Sequence, residues 1–588
     1  MNYLELNNAS RSLDYSACSR TIRIALLSNS TTQYLTPLFK TLLCQNGIRA
    51  DVYEPAYGTA EFEIFDATSG LYTFNPDVVV MANSVLALRD RYYTFTAERT
   101  RFVADQVESS TSLWAALRAR STAAIIQTNY VVPNEKLFGS YDDRVGASFT
   151  SAVALLNHQL SEGSRGQNDV FICDVDHVAA YYGRKHWLDE KMWLLAKTYC
   201  AFDYLPYAVK SVVDIILSLN GKCVKCVVLD LDNTLWGGII GDDGLEGIRL
   251  GHLGDGEAFV GFQHFLRALK QRGILLAVCS KNDPETARLP FRQHAEMVLR
   301  EDDITVFVAN WVSKAENLKQ IADILNVGLG SMVFVDDNPF ERGVVRDALP
   351  EVIVPELPED PADYVRCLTE LNLFETTSYS ALDAGRADLY RIEAQRKLVE
   401  RTFANAEDHL KSLEMKIICQ RFEPFHLPRI VQLLQRSNQF NLLTRRFNQA
   451  QCEVFMHDTA NWLPLYLSLR DKYGDNGIIG VIIARLDPGV MSIEEWVMSC
   501  RVLARGVEQF AMNFLADEAR TRGIERIRAR YVPTAKNGMV KHLFGGLGFQ
   551  RVSESADGVI DWELETSAYQ PGIHFIELDA GDALHAAH

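Results

Sequence analysis

The stretch VVLDLDNTLWGG, Val227–Gly238, ends a hydrophobic run with two aspartates and a threonine at alternate positions. Three apolar residues lead into Asp230, and Asp232 and Thr234 follow it. A carboxylate at the end of a buried strand is costly unless a cation or hydrogen bonds compensate its charge. The pattern therefore indicates a strand that delivers its acidic residues to a binding or catalytic site.

Three further apolar runs in the same part of the chain also end in polar residues. They are short, apolar and separated by segments long enough for helices, and each ends in polar residues. Such runs are typical of strands in a parallel sheet, and the carboxyl ends of parallel strands form the ligand crevice. We therefore expect their polar ends to meet. The runs are ILLAVCS (274–280), VFVAN (306–310) and SMVFVDDN (331–338).

The polar strand ends together make a set that metal-assisted phosphoryl transfer through an aspartyl phosphate requires. An Asp-Asn pair at one strand end could simply cap a turn or a helix, but that alternative does not explain the whole set in this order. The set comprises Asp230, Asp232, Thr234, Ser280, Lys314, Asp336 and Asp337.

The residue types suggest separate roles. Asp230 would be the nucleophile and Asp232 the general acid/base. Mg²⁺ prefers oxygen ligands, so we expect the metal-binding residues to be Asp230, Asp232, Asp336 and Asp337. The phosphoryl oxygens would be bound by Thr234, Ser280 and Lys314.

The rest of the chain has two other patterns. Apolar runs at 22–28, 77–82, 122–127 and 169–176 alternate with helix-length segments, which predicts a doubly wound parallel sheet. Near the C-terminus, WLPLYLSLRD, GIIGVIIARL and MSIEEWVMSC are typical of consecutive antiparallel strands, followed by a helix, a strand, a helix and a strand.

Length and charge restrict the class of protein. The 588 residues suggest three or four domains. A net charge of -17 argues against broad binding to nucleic acid or anionic membranes. The first residues lack the pattern of a signal peptide, and no apolar run is long enough to cross a membrane. We expect a cytoplasmic protein.

The motifs LDLDNTLWGG, VCSKND and VFVDDNPFER resemble the FkbH-like branch of the haloacid dehalogenase (HAD) phosphotransferases, over nearly the whole chain. The resemblance implies an α/β protein with a doubly wound SGNH-like domain, a HAD-like domain without a large cap, and a GNAT-like α+β domain. The expected divisions are a leader (1–20), the SGNH-like domain (21–205), the HAD-like domain (206–378), a helical connector (379–412), the GNAT-like domain (413–568) and a tail (569–588).

Members of this branch resemble glyceryl transferase/phosphatases. The resemblance implies that the chain dephosphorylates 1,3-bisphosphoglycerate with Mg²⁺ and passes a glyceryl group, through an enzyme thioester, to the phosphopantetheine thiol of an acyl carrier protein for polyketide biosynthesis. The gaps from Asp232 to Asp283 and from Ser280 to Lys314 are too short for a cap domain, which suits a substrate on a carrier arm. The alternatives are a plain Mg²⁺-dependent phosphatase acting on a small metabolite, and a non-catalytic scaffold that binds carrier proteins.

Two cysteines are candidates for the thioester. Cys279 precedes Ser280 at a strand end, although adjacent strand residues face opposite sides and it could point into the core. Cys500 is followed by Arg501, Arg505 and a helix N-terminus, which would lower the pKa of its thiol. That electrostatic argument slightly favours Cys500, and a third alternative is that neither carries the acyl group.

The C-terminal block resembles GNAT acyltransferases in RVLARGVEQF and AKNGMVKHLFGGLGF. The resemblance implies that Arg501, Arg505 and Asn537 bind a carrier arm; Phe544 stands where these enzymes usually have a tyrosine, so amine acetylation is not expected. Lys and Arg outnumber acidic residues over 501–541. This basic patch could dock an acidic carrier protein or could simply be a solvated face.

The N-terminal block resembles SGNH hydrolases. The resemblance places Ser30, Asn83, Asp174 and His177 where a nucleophile, an oxyanion-binding residue, an orienting carboxylate and a base would be. The usual Gly-Asp-Ser is Ser28-Asn29-Ser30 here, and Met81 replaces a glycine. We therefore expect a retained scaffold rather than an active esterase.

Overall fold

The computed structural model describes residues 1–145, 148–379, 390, 406–437, 439–499, 502–534 and 536–579. The chain divides into two compact units, the first made of Met1–Ser218 with Asn448–Cys452 and the second of Leu219–Phe447 with Glu453–His588. In the described ranges, no helix has the length and apolar character needed to cross a membrane.

The first unit contains a five-stranded parallel sheet in the order β2-β1-β3-β4-β5. The β3 and β4 side chains are buried on both faces, as expected when helices cover the two sides of a sheet. The predicted doubly wound fold is confirmed, and β2 is a strand that the sequence pattern did not reveal. The strands are β1 (Arg20–Ser28), β2 (Ile48–Tyr53), β3 (Val78–Ala82), β4 (Ala124–Thr128) and β5 (Val170–Cys173).

Eleven helices surround this sheet in the described part of the unit. They are α1 (Tyr3–Ala9), α2 (Thr36–Gln45), α3 (Ala60–Phe65), α4 (Gly70–Phe74), α5 (Val85–Thr94), α6 (Phe102–Arg118), α7 (Phe149–Ser164), α8 (Val175–Tyr182), α9 (Arg184–Trp187), α10 (Glu190–Ala196) and α11 (Leu205–Leu219).

The second unit begins with a four-stranded parallel sheet in the order β8-β7-β6-β9. Alternate residues of β6 enter different hydrophobic clusters, with Val227 and Leu229 on one face and Cys226 and Val228 on the other. Because the four strands are parallel, their carboxyl ends all lie at one edge of the sheet. The strands are β6 (Cys226–Leu229), β7 (Leu275–Ser280), β8 (Val306–Ala309) and β9 (Met332–Val335); the helices are α12 (Ile240–Gly247), α13 (Asp255–Gln271), α14 (Pro284–Gln293), α15 (Lys314–Leu325), α16 (Pro339–Ala348) and α17 (Tyr364–Glu370).

The second unit also contains a mixed eight-stranded sheet in the order β15-β16-β14-β13-β12-β11-β10-β17. Its antiparallel strands β11 to β13 were predicted, as were the following helix and strand, and this agrees with the expected α+β class. The strands are β10 (Met415–Arg421), β11 (Trp462–Asp471), β12 (Gly474–Asp487), β13 (Val490–Met498), β14 (Arg526–Tyr531), β15 (Gln550–Glu554), β16 (Ile560–Glu565) and β17 (Ile576–Leu578); the helices are α18 (Ala406–Ser412), α19 (Leu427–Arg436), α20 (Gln449–His457), α21 (Val507–Thr521) and α22 (Leu543–Gly546).

Some predictions fall on parts of the chain that are not described. Cys500 and Arg501, most of the connector 379–412, and residues 580–588 of the tail lie outside the described residues. The expected domain boundaries remain predictions.

Candidate active site

The strand ends of the four-stranded sheet bring three carboxylates together. Oxygen atoms of Asp230, Asp336 and Asp337 all lie within 4.8 Å of one another. Asp230 and Asp336 are buried, at 7% and 0% exposure. They follow β6 and β9, which are neighbours in the sheet, so the parallel pairing itself creates the cluster.

Lys314 supplies a buried positive charge to this cluster. Its Nζ lies 2.9 Å from Asp230 Oδ2 and 2.5 Å from Asp336 Oδ2. Burial alone lowers the pKa of Lys314, but Asp230 and Asp336 raise it overall, so the side chain stays an ammonium. One ammonium cannot neutralise three carboxylates.

The excess negative charge raises the pKa values of two of the aspartates. Burial and the nearby Asp230 raise the pKa of Asp336 to about 6, and the same two causes raise the pKa of Asp337. Asp230 Oδ1 is buried without a hydrogen-bond partner. A hard cation held by oxygen ligands would satisfy that oxygen and compensate the excess charge, so Asp230, Asp336 and Asp337 fit Mg²⁺.

Neighbouring residues fix the loop after β9. Thr234, which is fully buried, donates through Oγ1 to Asp337 Oδ1 and accepts from the backbone N–H of Asp337. Arg342 Nη1 donates to the backbone oxygens of Asp336 and Asp337 at 2.8 and 2.7 Å. Arg342 was not predicted as part of the site, because a buried arginine in a helix gives no strand-end signal.

Asp232 lies apart from the three-carboxylate cluster. Its Oδ1 accepts from Trp236 Nε1 and the backbone N–H of Ile240, and its Oδ2 accepts from Asn282 Nδ2. Burial raises the pKa of Asp232. The predicted metal-binding set included the Asp232 carboxylate, whereas the structure engages it with these three donors.

Ser280 and Cys279 end β7 on opposite faces. Ser280 is 2% exposed at the strand end nearest the cluster, where the prediction placed it. Cys279 has no exposed surface and packs with Val228 and Ala277 in the core. Burial raises the pKa of Cys279 to about 12, which opposes formation of a thiolate. The structure therefore argues against Cys279 as the carrier of an acyl group.

The edge of the sheet is open. Between β6 and β7, a fully described stretch, the chain forms only α12 and α13, so no cap domain is inserted there. Trp311, three residues before Lys314 in the chain, and Phe340, three residues after Asp337, are 76% and 70% exposed. The absence of a large cap agrees with the gap lengths in the sequence.

Two residues expected to bind a carrier arm make contacts within the fold. Arg505 is 6% exposed, and its Nη1 pairs with Asp471 Oδ2 at 3.1 Å. Asn537 is fully buried; its Oδ1 accepts from Thr534 N, and its Nδ2 donates to the oxygens of Asn441 and Val532. Both side chains are engaged within the fold in the conformation described, and their role in binding a carrier arm stays a prediction.

The opening between β13 and β14 is filled by the chain itself. The two strands pair in parallel only from Val490 to Ser492 and then diverge. Residues 440–442 occupy the gap, because Leu442 donates to the Trp496 oxygen and accepts from Val532, and Phe440 accepts from Met498. Residues 440–442 thus bridge the two diverging strands.

Glu495 anchors this filling segment. Its carboxylate accepts from the backbone N–H groups of Leu443 and Arg445 and is fully buried. Burial raises the pKa of Glu495 to about 7 from its ordinary 4.5.

The raised pKa of Glu495 predicts a pH-dependent stability. The Glu495 carboxyl binds a proton more readily in the native state than in the unfolded chain, so proton binding stabilises the native state. This contribution to the free energy of unfolding is fully present below pH 4.5 and is lost as the pH rises through about 7. In urea unfolding, the stability of the wild type relative to Glu495→Gln should therefore decrease between pH 4.5 and pH 7. A difference that does not change with pH would contradict the assignment.

The basic patch of 501–541 is largely neutralised where it is described. Arg528 and Arg530 pair across the sheet with Glu563 and Asp561. Arg522 pairs with Glu518 along α21. The side chains alternate with acidic partners, as on an ordinary solvated face, and so the structure gives no support for docking through a continuous positive surface.

The SGNH-like residues of the first unit are not assembled into a triad. Ser30 is 2% exposed, with its Oγ 2.8 Å from Ser28 Oγ. Asp174 Oδ1 accepts from the backbone N–H of His177 at the start of α8 and from Asn129 Nδ2, so it caps a helix. A cavity of about 180 Å³ at the ends of β1 and β3 is lined by Asn83 and Ser28, but not by Ser30, Asp174 or His177.

Comparisons with known proteins agree with this architecture. The family model "FkbH, N-terminal domain" matches residues 23–217. A crystal structure of the N-terminal part of the protein BF1531 from Bacteroides fragilis, which contains a phosphatase domain complexed with Mg, is similar at 39% identity and a TM-score of 0.61. It covers 64% of this chain and 100% of the BF1531 chain. A search of curated proteins found no match.

Acetyltransferases match a smaller part of the chain. The ribosomal-protein-S18-alanine N-acetyltransferase from Escherichia coli is 16% identical, with a TM-score of 0.21 over 27% of this chain and 99% of its own. The GNAT domain of S. lividans PAT is 18% identical, with a TM-score of 0.20 over 25% of this chain and 89% of its own. The match to BF1531 spans that whole structure and includes a phosphatase domain, and the chain belongs to the FkbH family.

Proposed function

We propose that the protein is a Mg²⁺-dependent glyceryl transferase/phosphatase. It dephosphorylates 1,3-bisphosphoglycerate and loads a glyceryl group onto an acyl carrier protein for polyketide biosynthesis. The observation that carries the phosphatase half is the cluster of Asp230, Asp336 and Asp337 around Lys314, with Asp230 Oδ1 lacking a protein partner.

The phosphatase half follows from the positions of the side chains. Asp230 attacks the phosphorus of the 3-phosphate ester, and an acyl phosphate forms on its carboxylate as the alkoxide leaves. Asp232 gives that alkoxide a proton and then takes one from the water that hydrolyses the aspartyl phosphate. Lys314 compensates charge on Asp230 and on the phosphoryl group. Mg²⁺, held by Asp230, Asp336 and Asp337, supplies further charge neutralisation.

The transfer half requires a thiol. A cysteine thiolate attacks the acyl carbon of the 1-phosphate, inorganic phosphate leaves, and a thioester forms; the phosphopantetheine thiol of the carrier protein then takes the acyl group and releases the cysteine. Because Cys279 is buried in the core, we assign this role to Cys500, which follows β13 and lies outside the described residues.

The open sheet edge supports delivery by a macromolecule. Trp311 and Phe340, each three residues along the chain from a residue of the site, are exposed, and exposed large apolar side chains are typical of interaction surfaces. A carrier protein is the partner that the proposed reaction requires.

Intact-mass spectrometry tests the proposal. The protein is incubated with 1,3-bisphosphoglycerate and Mg²⁺, and carrier protein is then added. We expect a glyceryl adduct that moves to the carrier, is lost in Cys500→Ser and persists in Cys279→Ser. Phosphate release with no adduct on the enzyme would contradict the transfer half.

A plain phosphatase is the second candidate. It is favoured by the filled opening between β13 and β14 and by the internal engagement of Arg505 and Asn537, two of the three residues expected to bind a carrier arm; the third, Arg501, lies outside the described residues. A small phosphorylated metabolite would then be the substrate, and phosphate release would not depend on Cys500 or on a carrier protein.

A further inference from the structure

Asp232 is held by three donors from two parts of the site. Trp236 Nε1 lies 3.0 Å from Oδ1, the backbone N–H of Ile240 lies 2.9 Å from the same oxygen, and Asn282 Nδ2 lies 3.0 Å from Oδ2. An ionised carboxylate offers about four acceptor positions. The three described donors occupy three of these acceptor positions, two on Oδ1 and one on Oδ2. The fourth acceptor position is therefore on Oδ2.

The Asn282 amide has a defined orientation. Its Oδ1 accepts from the backbone N–H of Asp283 at 2.9 Å, and a flipped amide would place two donors against each other there. Its Nδ2 is therefore the group that faces Asp232. Asn282 is 6% exposed, so water does not readily replace this contact.

Trp236 is equally constrained. It has no exposed surface and packs edge-on against Phe291 with the ring centroids 6.0 Å apart. The loop that carries it turns through Asn233, whose φ is +54°, and the Asn233 side chain accepts from the backbone N–H of Gly238. The indole N–H and the Ile240 N–H therefore reach Asp232 from one preformed loop.

We propose that Trp236 and Asn282 are positioning residues that make Oδ2 of Asp232 the proton-transfer atom, and that this arrangement equips the site for phosphate esters of aliphatic alcohols. The inference rests on the phosphatase half of the proposed function and is independent of the acyl transfer. The two side chains act through Asp232 and do not themselves exchange a proton.

The proposed reaction transfers the phosphoryl group first to Asp230 and then to water. Asp230 attacks phosphorus, the bond from phosphorus to the ester oxygen breaks, and the proton on Asp232 Oδ2 moves to the departing alkoxide. Water then attacks the phosphorus, its proton returns to Oδ2, and the bond to Asp230 breaks. An aliphatic alkoxide is a poor leaving group and needs this proton, whereas p-nitrophenolate leaves without one.

The test compares two leaving groups in the full-length protein with Mg²⁺. Trp236→Phe keeps the ring and removes the N–H; Asn282→Asp keeps the shape and the acceptor for Asp283 but removes the donor. Both should lower kcat/KM for 3-phosphoglycerate about tenfold or more relative to kcat/KM for p-nitrophenyl phosphate. This ratio reports the first phosphoryl transfer, in which loss of general acid catalysis affects mainly the poorer leaving group.

Asp283→Ala is the matched structural control. It removes the side chain that caps α14 through Glu285 and Thr286 and leaves the donors to Asp232 in place, so the ratio of the two rates should stay at its wild-type value. Equal losses on both substrates in Trp236→Phe and Asn282→Asp would overturn the proposal, and so would a wild type that hydrolyses only the aryl ester. The glyceryl-adduct experiment is unaffected by either result.

Discussion

Asp230→Asn should lower phosphate release by about a thousandfold or more, because an amide is not a nucleophile toward phosphorus. The substitution keeps the shape of the side chain and removes one of the three negative charges around Lys314. Release of inorganic phosphate from a phosphorylated substrate with saturating Mg²⁺ measures the effect.

Asp347→Asn is the control for this experiment. Asp347 is an exposed carboxylate on α16 of the same sheet domain, and its loss should change the rate less than about twofold. An Asp230→Asn protein that keeps a tenth of the wild-type rate would contradict the nucleophilic role, provided that deamidation is excluded by mass.

Lys314→Met should destabilise the metal-free protein by about 3–5 kcal/mol, because it leaves Asp230 and Asp336 buried together without their cation. All three side chains are buried. Mg²⁺ should restore part of the loss, since it binds the folded carboxylates. Hydrogen exchange at the amides of β6 and β9, with and without Mg²⁺, reports this local stability.

Lys319→Met is the matched control, because Lys319 lies on the same helix, α15, and is exposed. Its exchange rates should equal those of the wild type. Equal protection of β6 and β9 in Lys314→Met and the wild type, without metal, would show that the buried pairs do not contribute to stability.

The carboxylate cluster is the part of the site that sequence could predict. Parallel strands place their carboxyl ends at one edge, so polar residues after four successive strands must lie near one another. Asp230, Lys314, Asp336 and Asp337 meet in this way. Their separation along the chain is irrelevant, since the sheet order brings the strands together.

Roles set by long-range contacts were not predictable. Arg505 precedes a helix, as an anion-binding arginine would, but it forms a salt bridge with Asp471 at the end of β11. Asn537 likewise matches a local motif while its amide bonds to Asn441, far away in sequence. Local patterns show which groups are present; burial and pairing, which decide whether a ligand can reach them, depend on the whole fold.

Asn282 and Trp236 are the reverse case, because no local sequence motif marks them as part of the site. Asn282 appears in the sequence as part of a helix-capping turn and Trp236 as an ordinary aromatic residue after the aspartates. Their donor atoms meet at Asp232 only because the segment between β6 and α12 and the segment after β7 lie beside the same carboxylate.

Chemical trapping of the phosphorylated residue tests the central claim most directly. The protein is mixed with substrate and Mg²⁺, quenched, and reduced with borohydride, which converts an aspartyl phosphate to homoserine, and the modified peptide is then sequenced by mass spectrometry. The account predicts homoserine at position 230, dependent on Mg²⁺. Phosphate release at the normal rate with modification at another residue, or with none, would contradict it.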